Sequence, residues 1–72
     1  MRLNKEFKNN CKNINRISDS KVIVTTNKGY EIEIINTYAG FYSLVNIKEY
    51  GEIYSVDKLK DMLNMFKRLN WM

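Results

Sequence analysis

The chain has 72 residues, a net charge of +4, one cysteine and neither histidine nor proline. This length predicts a single domain, 1–72, with a small core, and the composition predicts no internal disulfide, metal site or cofactor. No apolar run follows Met1, so we expect no signal peptide and no membrane partner, and the lone thiol is compatible with a reducing cytoplasm.

The N-terminal segment carries a narrow apolar stripe. The stripe consists of Leu3, Phe7, Cys11 and Ile14. These spacings of four, four and three residues are typical of one helix face. Asn4 is a suitable N-cap, although the asparagines that follow are poor helix formers. We predict a helix over Asn4–Lys12, with Cys11 in the core as a small hydrophobe rather than a nucleophile.

The middle of the chain predicts four short strands separated by glycines, after a loop at Ser18–Ser20. The strands are Lys21–Thr26, Tyr30–Ile34, Phe41–Ile47 and Glu52–Tyr54, and the glycines are Gly29, Gly40 and Gly51. Strict alternation in the second strand sets Glu31 and Glu33 on one face and its isoleucines on the other. The third strand has apolar residues on both faces, so its inward side stays open. Such short connections predict an antiparallel meander in the order 1-2-3-4.

The C-terminal segment predicts the clearest helix, with Ser55 as N-cap. Its broad apolar face is formed by Val56, Leu59, Met62, Leu63, Phe66 and Leu69. Together with the N-terminal helix it predicts an α+β fold of the order α-β-β-β-β-α, in which both helices cover one face of a four-stranded sheet.

Charge is segregated along the chain. Residues 1–28 carry a net charge of +5, residues 29–57 carry −4, and residues 58–72 carry +3. A uniformly cationic nucleic-acid-binding surface does not show this pattern.

The uncovered sheet face is the first candidate site. We expect it to display Glu31, Glu33, Tyr42, Tyr50, Glu52 and Tyr54. Aromatic side chains of this kind fill cores, anchor protein interfaces or stack on bases, and the glutamates disfavour the last of these because they repel phosphates. Carboxylates on one strand face also suit a solvated surface, and the single glycines form no phosphate loop, so we expect no enzyme.

A basic set on the two helices is the second candidate site. It consists of Lys5, Lys8, Lys12, Lys60, Asn64, Lys67, Arg68 and Trp71. With both helices on one sheet face, these residues would share one side of the molecule and could bind nucleic acid. The alternative is a solvated helix face with Trp71 packed at the sheet edge.

These patterns favour a non-enzymatic protein-binding module, an inhibitor or regulator that acts by steric occlusion of a host or regulatory protein. The alternative is a small nucleic-acid-binding protein, and a homodimer formed through an exposed sheet face or edge is a third possibility. In size and style the chain is similar to short proteins of bacteriophages and other mobile elements, many of which bind and block a host protein. That resemblance implies a partner of the same kind.

Overall fold

The computed structural model describes residues 1–37, 39–49 and 53–72. Within these residues the chain forms a five-stranded antiparallel sheet and two short helices, which confirms the α+β prediction. In chain order the elements are α1 (Lys5–Asn9), β1 (Cys11–Ser18), β2 (Lys21–Thr26), β3 (Glu31–Asn36), β4 (Tyr42–Asn46), β5 (Ile53–Val56), a 3₁₀ turn (Leu59–Asp61) and α2 (Met62–Arg68). The strands form a meander in the order β1-β2-β3-β4-β5, so the predicted count of four strands is wrong.

The additional strand is β1, which takes the last two residues of the predicted N-terminal helix, Cys11 and Lys12, and the segment that follows them. Asn4 caps α1 as predicted, because its side-chain oxygen accepts a hydrogen bond from the Phe7 amide at 2.7 Å. The helix then ends at Asn9, and the prediction that it continues to Lys12 is wrong. Of the asparagines that disfavour a longer helix, Asn9 is the last helical residue and Asn10 the C-cap, while Asn13 and Asn15 lie in β1.

A β-bulge explains why β1 resembles a helix in sequence. Cys11 pairs with Thr26 and Ile14 pairs with Val24, and the register shifts between Cys11 and Asn13. Residues three apart on a regular strand point to opposite faces, but one extra residue in the strand returns them to the same face. Cys11 and Ile14 therefore both pack against the core with helical spacing but without a helix.

The central hairpins follow the predicted turns closely. Strand β2 has the predicted bounds, and Gly29 adopts a φ of +93° in the turn that follows it. The Gly29 amide donates to the Thr26 carbonyl at 2.9 Å, which closes a tight turn before β3. The predicted Ser18–Ser20 loop narrows to a two-residue connection, since Ser18 already pairs with Lys21. The third predicted glycine turn, at Gly51, lies outside the described residues.

The C-terminal helix starts later than predicted. Ser55 is a residue of β5 and not an N-cap, because the strand continues to Val56, which is buried and pairs with Tyr42. Helical structure begins in the 3₁₀ turn at Leu59. Beyond Val56, the predicted apolar face is confirmed, since its residues are buried or packed against the core.

A Schellman motif ends α2 and fixes the position of Trp71. Asn70 has a φ of +61°, its amide donates to the Lys67 carbonyl at 3.1 Å, and the Trp71 amide donates to the Phe66 carbonyl at 2.9 Å. The usual apolar contact of this motif is present, with the rings of Trp71 and Phe66 5.2 Å apart and nearly perpendicular.

The core lies on one side of the sheet. The buried strand residues all belong to that side, and they are Val22, Val24, Thr26, Ile32, Ile34, Leu44, Asn46 and Val56. Phe7 from α1 and Phe66 from α2 meet over this layer with ring centroids 4.9 Å apart. Both helices thus cover the same face, and each large side chain that they bury contributes roughly 1.5–3 kcal/mol before conformational entropy is subtracted.

Candidate functional site

The sheet face opposite the helices is not covered by any described helix, and we call it the open face. Its described residues on β2 to β5 are Lys21, Ile23, Thr25, Glu31, Glu33, Ile35, Ser43, Val45, Ile53 and Ser55. None of these residues is fully buried, whereas their neighbours along each strand largely are. The period of two in β2, β3 and β4 produces this division, because successive side chains point to opposite faces.

A cross-strand row that is aliphatic except for Glu33 crosses the open face, and we call it the aliphatic row. The cross-strand pairs place Ile23 beside Glu33, Glu33 beside Val45, and Val45 beside Ile53. Ile53 is 68% exposed, the highest value among the exposed large hydrophobic residues of the described chain. Ile35 lies diagonally beside Val45 and lines a concavity of about 440 Å³ at the end of β3. The open face therefore offers apolar surface on four adjacent strands.

The charge of the open face is lower than the sequence predicts. The Glu33 carboxylate and the Lys21 ammonium lie 3.3 Å apart, so this glutamate is already compensated. Among the described residues, no basic side chain lies within 4.0 Å of the Glu31 carboxylate. Among the described residues of this face, Glu31 is thus the carboxylate that is available to a partner.

The two glutamates of β3 lie on the open face, as the alternation of that strand predicts. Two further residues of the predicted protein-binding set, Tyr50 and Glu52, lie outside the described residues.

The predicted placement of the two other tyrosines is wrong. Tyr54 pairs with Leu44 on the helix-covered side, where its ring meets that of Trp71 at 5.5 Å. Tyr42 pairs with the buried Val56 and packs against the same core. Leu44, which is completely buried, settles the inward side of β4 that the sequence leaves open.

The residues that sequence reasoning did not assign are the aliphatic ones of the open face: Ile23, Ile35, Val45 and Ile53. Ile23, Val45 and Ile53 belong to predicted strands, and Ile35 follows directly after one, so the β-branched pattern was visible. The missing information was register, because only pairing shows that these side chains form one patch rather than isolated surface residues.

The opposite surface, formed by α1, the 3₁₀ turn and α2, is called the helical side. Its predicted polar residues Lys5, Lys8, Lys60, Asn64, Lys67 and Arg68 are all exposed. Glu6 of α1 approaches Lys67 of α2 at 3.8 Å, and Arg2 and Lys60 line one concavity of about 180 Å³. The helical side therefore carries most of the predicted basic set, while Lys12 belongs to β1.

Two features reduce the fit of the helical side to nucleic acid. Trp71 is only 4% exposed, so its ring fills the core and is not available for stacking on a base. Asn64 and Arg68 line a cleft together with Asp57 and Asp61, whose carboxylates repel phosphates.

Cys11 is a structural thiol. Its sulfur donates to the Phe7 carbonyl at 3.4 Å, and desolvation by burial raises the pKa of the thiol from 9.0 to about 11. A thiol held neutral in this way is a poor nucleophile.

The described residues contain no group of three or more histidine, cysteine, aspartate or glutamate side chains that could hold a metal ion. In the same part of the chain, no helix is long and apolar enough to cross a membrane. Comparison with protein-family models, with curated proteins and with solved structures gave no match.

Proposed function

We propose that the chain is a non-enzymatic protein-binding module, an inhibitor or regulator that covers a surface of a partner protein with its open face. The observation that carries this proposal is the aliphatic row of Ile23, Val45 and Ile53 on the uncovered side of the sheet. Interfaces commonly have an apolar centre and a polar rim, and Thr25 and Ser43 border the row. Glu33, which is paired with Lys21, lies within the row between Ile23 and Val45.

The chemistry of the open face also indicates what the partner should present. Burial of an aliphatic row requires apolar side chains on the partner surface, and the uncompensated Glu31 favours a basic group beside them. Because Tyr42 and Tyr54 are committed to the helix-covered side, the anchors that we propose are aliphatic rather than aromatic.

The test is an affinity purification from the native host with identification by mass spectrometry, using two charge-reversal variants of matched chemistry. Glu31→Lys alters the open face, and Glu6→Lys makes the same change on the exposed helical side. We expect one partner to be captured by the wild type and by Glu6→Lys but to be lost, at least tenfold, with Glu31→Lys. Equal capture by both variants, or no partner at micromolar concentration, contradicts the proposal.

A second candidate function is nucleic-acid binding through the helical side. The observation that favours it is the packing of the two helices on one sheet face, with Arg2 and Lys60 lining one concavity between them. Four exposed cations of this side have no ion pair among the described residues: Lys5, Lys8, Lys60 and Arg68. If all four contact duplex phosphates, the logarithm of the affinity should fall with the logarithm of salt concentration with a slope of about −4.

A salt titration with single- and double-stranded DNA and RNA tests this second candidate. We expect Lys5→Glu/Lys60→Glu to abolish the salt-dependent binding, whereas Lys21→Glu on the open face should leave it intact. No binding at low salt excludes the nucleic-acid function.

A further inference from the structure

The two edges of the sheet differ in how they are protected. The outer strand β1 has register shifts at both ends and carries Lys12 and Arg16. Bulges and charges are the usual devices by which proteins prevent edge-to-edge pairing. The other outer strand, β5, has the sequence Ile-Tyr-Ser-Val, which is uncharged, and its pairing with β4 runs without a register shift.

The hydrogen-bond pattern shows which backbone groups of β5 face outward. The Ile47 amide donates to the Glu31 carbonyl at 2.9 Å, so the backbone groups of Ile47 point towards β3. Every second residue of a strand bonds to the same side, and the backbone groups of Ser43 and Val45 therefore also bond to β3. Tyr42 and Leu44 therefore bond towards β5, where they pair with Val56 and Tyr54. It follows that the N–H and C=O groups of Ile53 and Ser55 point away from the sheet.

We propose that a second copy of the chain pairs with this edge, so that two β5 strands join antiparallel about a twofold axis. In this register Ile53 lies opposite Ser55 of the other copy, and the outward groups of both residues form four interchain hydrogen bonds. No charged side chain of β5 meets itself across the axis, whereas pairing through β1 brings basic residues together.

The consequence is one continuous ten-stranded sheet. A twofold axis perpendicular to the sheet keeps both helix layers on one side, so the two open faces become a single surface. The exposed Ile53 side chains of the two copies lie diagonally beside each other across the axis and extend the aliphatic row. This inference does not depend on the partner proposed for the open face, because a dimer can form whether or not that partner exists.

The experiment is sedimentation equilibrium of the full chain in buffer of physiological ionic strength, from about 10 μM to about 1 mM. The contact is smaller than a standard interface, so we expect a dissociation constant on the order of 10⁻⁴ M. Ser55→Pro removes an outward amide without removing a bond to β4, and Ile53→Lys introduces a charge on the edge. Both should weaken the dimer at least tenfold.

Ile17→Lys is the matched control, since Ile17 is 50% exposed on the opposite edge strand. It should change the dissociation constant less than twofold. A chain that stays monomeric at about 1 mM overturns the proposal, and so does a dimer that is weakened by Ile17→Lys rather than by the β5 variants. If Ser55→Pro fails to fold, as judged by circular dichroism, Ile53→Lys decides the matter, because its side chain is already in solvent.

Disulfide trapping tests the register itself. In a Cys11→Ser background, Ile53→Cys and Ser55→Cys are prepared as separate variants and then mixed under oxidation. A hydrogen-bonded antiparallel pair has a Cα separation of about 5.5 Å, which suits a disulfide. We expect a crosslinked heterodimer in the mixture and none in either variant alone, and crosslinking in the single variants instead would overturn the register.

Discussion

Replacement of Trp71 by alanine separates a core role from a nucleic-acid-binding role for this residue. The side chain is 4% exposed and meets the rings of Phe66 at 5.2 Å and Tyr54 at 5.5 Å. Truncation of a buried tryptophan to alanine typically costs about 3–5 kcal/mol. For a domain of this size that loss lowers the melting temperature by roughly 12–40 °C and comes close to the whole free energy of unfolding.

The assay is urea and thermal unfolding followed by circular dichroism, with Lys67→Ala as the control. Lys67 belongs to the same helix, but its side chain is exposed, so its removal should change the free energy of unfolding by less than about 0.5 kcal/mol. Trp71→Phe keeps an aromatic ring and should fall between the two. A Trp71→Ala variant with wild-type stability and impaired nucleic-acid binding would refute the core assignment and restore Trp71 as a stacking residue.

The remaining predictions on local structure concern Asn4, Asn70 and Cys11. Asn4→Ala removes the N-cap of α1 and should cost about 1 kcal/mol in urea unfolding; an unchanged midpoint argues against the cap. Asn70→Gly should be more stable than Asn70→Ala by about 1 kcal/mol, because position 70 has a φ of +61°; equal midpoints argue against a left-handed residue there. Iodoacetamide should label Cys11 at pH 8 about tenfold more slowly in the native chain than in urea; equal rates contradict a buried thiol. At pH 8 the raised pKa lowers the thiolate fraction of Cys11 about a hundredfold. A thiolate of higher pKa is intrinsically more nucleophilic, so the labelling rate falls by less than the thiolate fraction does. The pKa of Cys11 is higher in the folded state than in the unfolded state. The contribution of the thiol to stability is therefore fully present below pH 9.0 and declines as the pH rises towards about 11. The difference in the free energy of unfolding between the wild type and Cys11→Ala, followed against pH, measures this decline.

The centre of the sheet was predictable because its signals are local. Lys21–Thr26 is a run rich in β-branched residues that ends at a glycine turn, and the structure reproduces its bounds. Glu31 and Glu33 alternate with isoleucines, and a period of two admits only one assignment of faces once the isoleucines are buried.

The N-terminal region was not predictable in the same way, because its periodicity has two sources. Phe7 lies on a true helix, whereas Cys11 and Ile14 reach the same core from a strand with a bulge. In the sequence, a spacing of three residues looks the same whether a helix or a strand with a bulge produces it. The competing signal was the run of asparagines, which favours an early helix end.

The start of the C-terminal helix illustrates how pairing overrides a capping signal. Ser55 followed by Asp57 resembles a helix N-terminus, but Val56 pairs with Tyr42 and is buried, which keeps the chain extended past the serine. The gain from burying a β-branched residue in the sheet exceeds the gain of one cap.

The tyrosines of the candidate site were misplaced for a related reason. In β4 both faces carry apolar side chains, so local hydrophobicity does not choose between Tyr42 and Val45 as the exposed residue. Pairing of Leu44 with Ile34 on one side and Tyr54 on the other settles that choice and turns both tyrosines towards the helices. Register is a property of the whole sheet and is not encoded in any single strand.

The two sides of the molecule differ enough in chemistry for their functions to be separated by experiment. The open face offers aliphatic surface and a free carboxylate at Glu31, which suits a protein and repels phosphates. The helical side offers cations with no exposed tryptophan, which suits an acidic surface bound through charge alone. Glu31→Lys should therefore abolish partner capture without weakening any nucleic-acid binding, and Lys5→Glu/Lys60→Glu should do the reverse. Loss of both activities in one variant that remains folded would contradict the separation of the two sides.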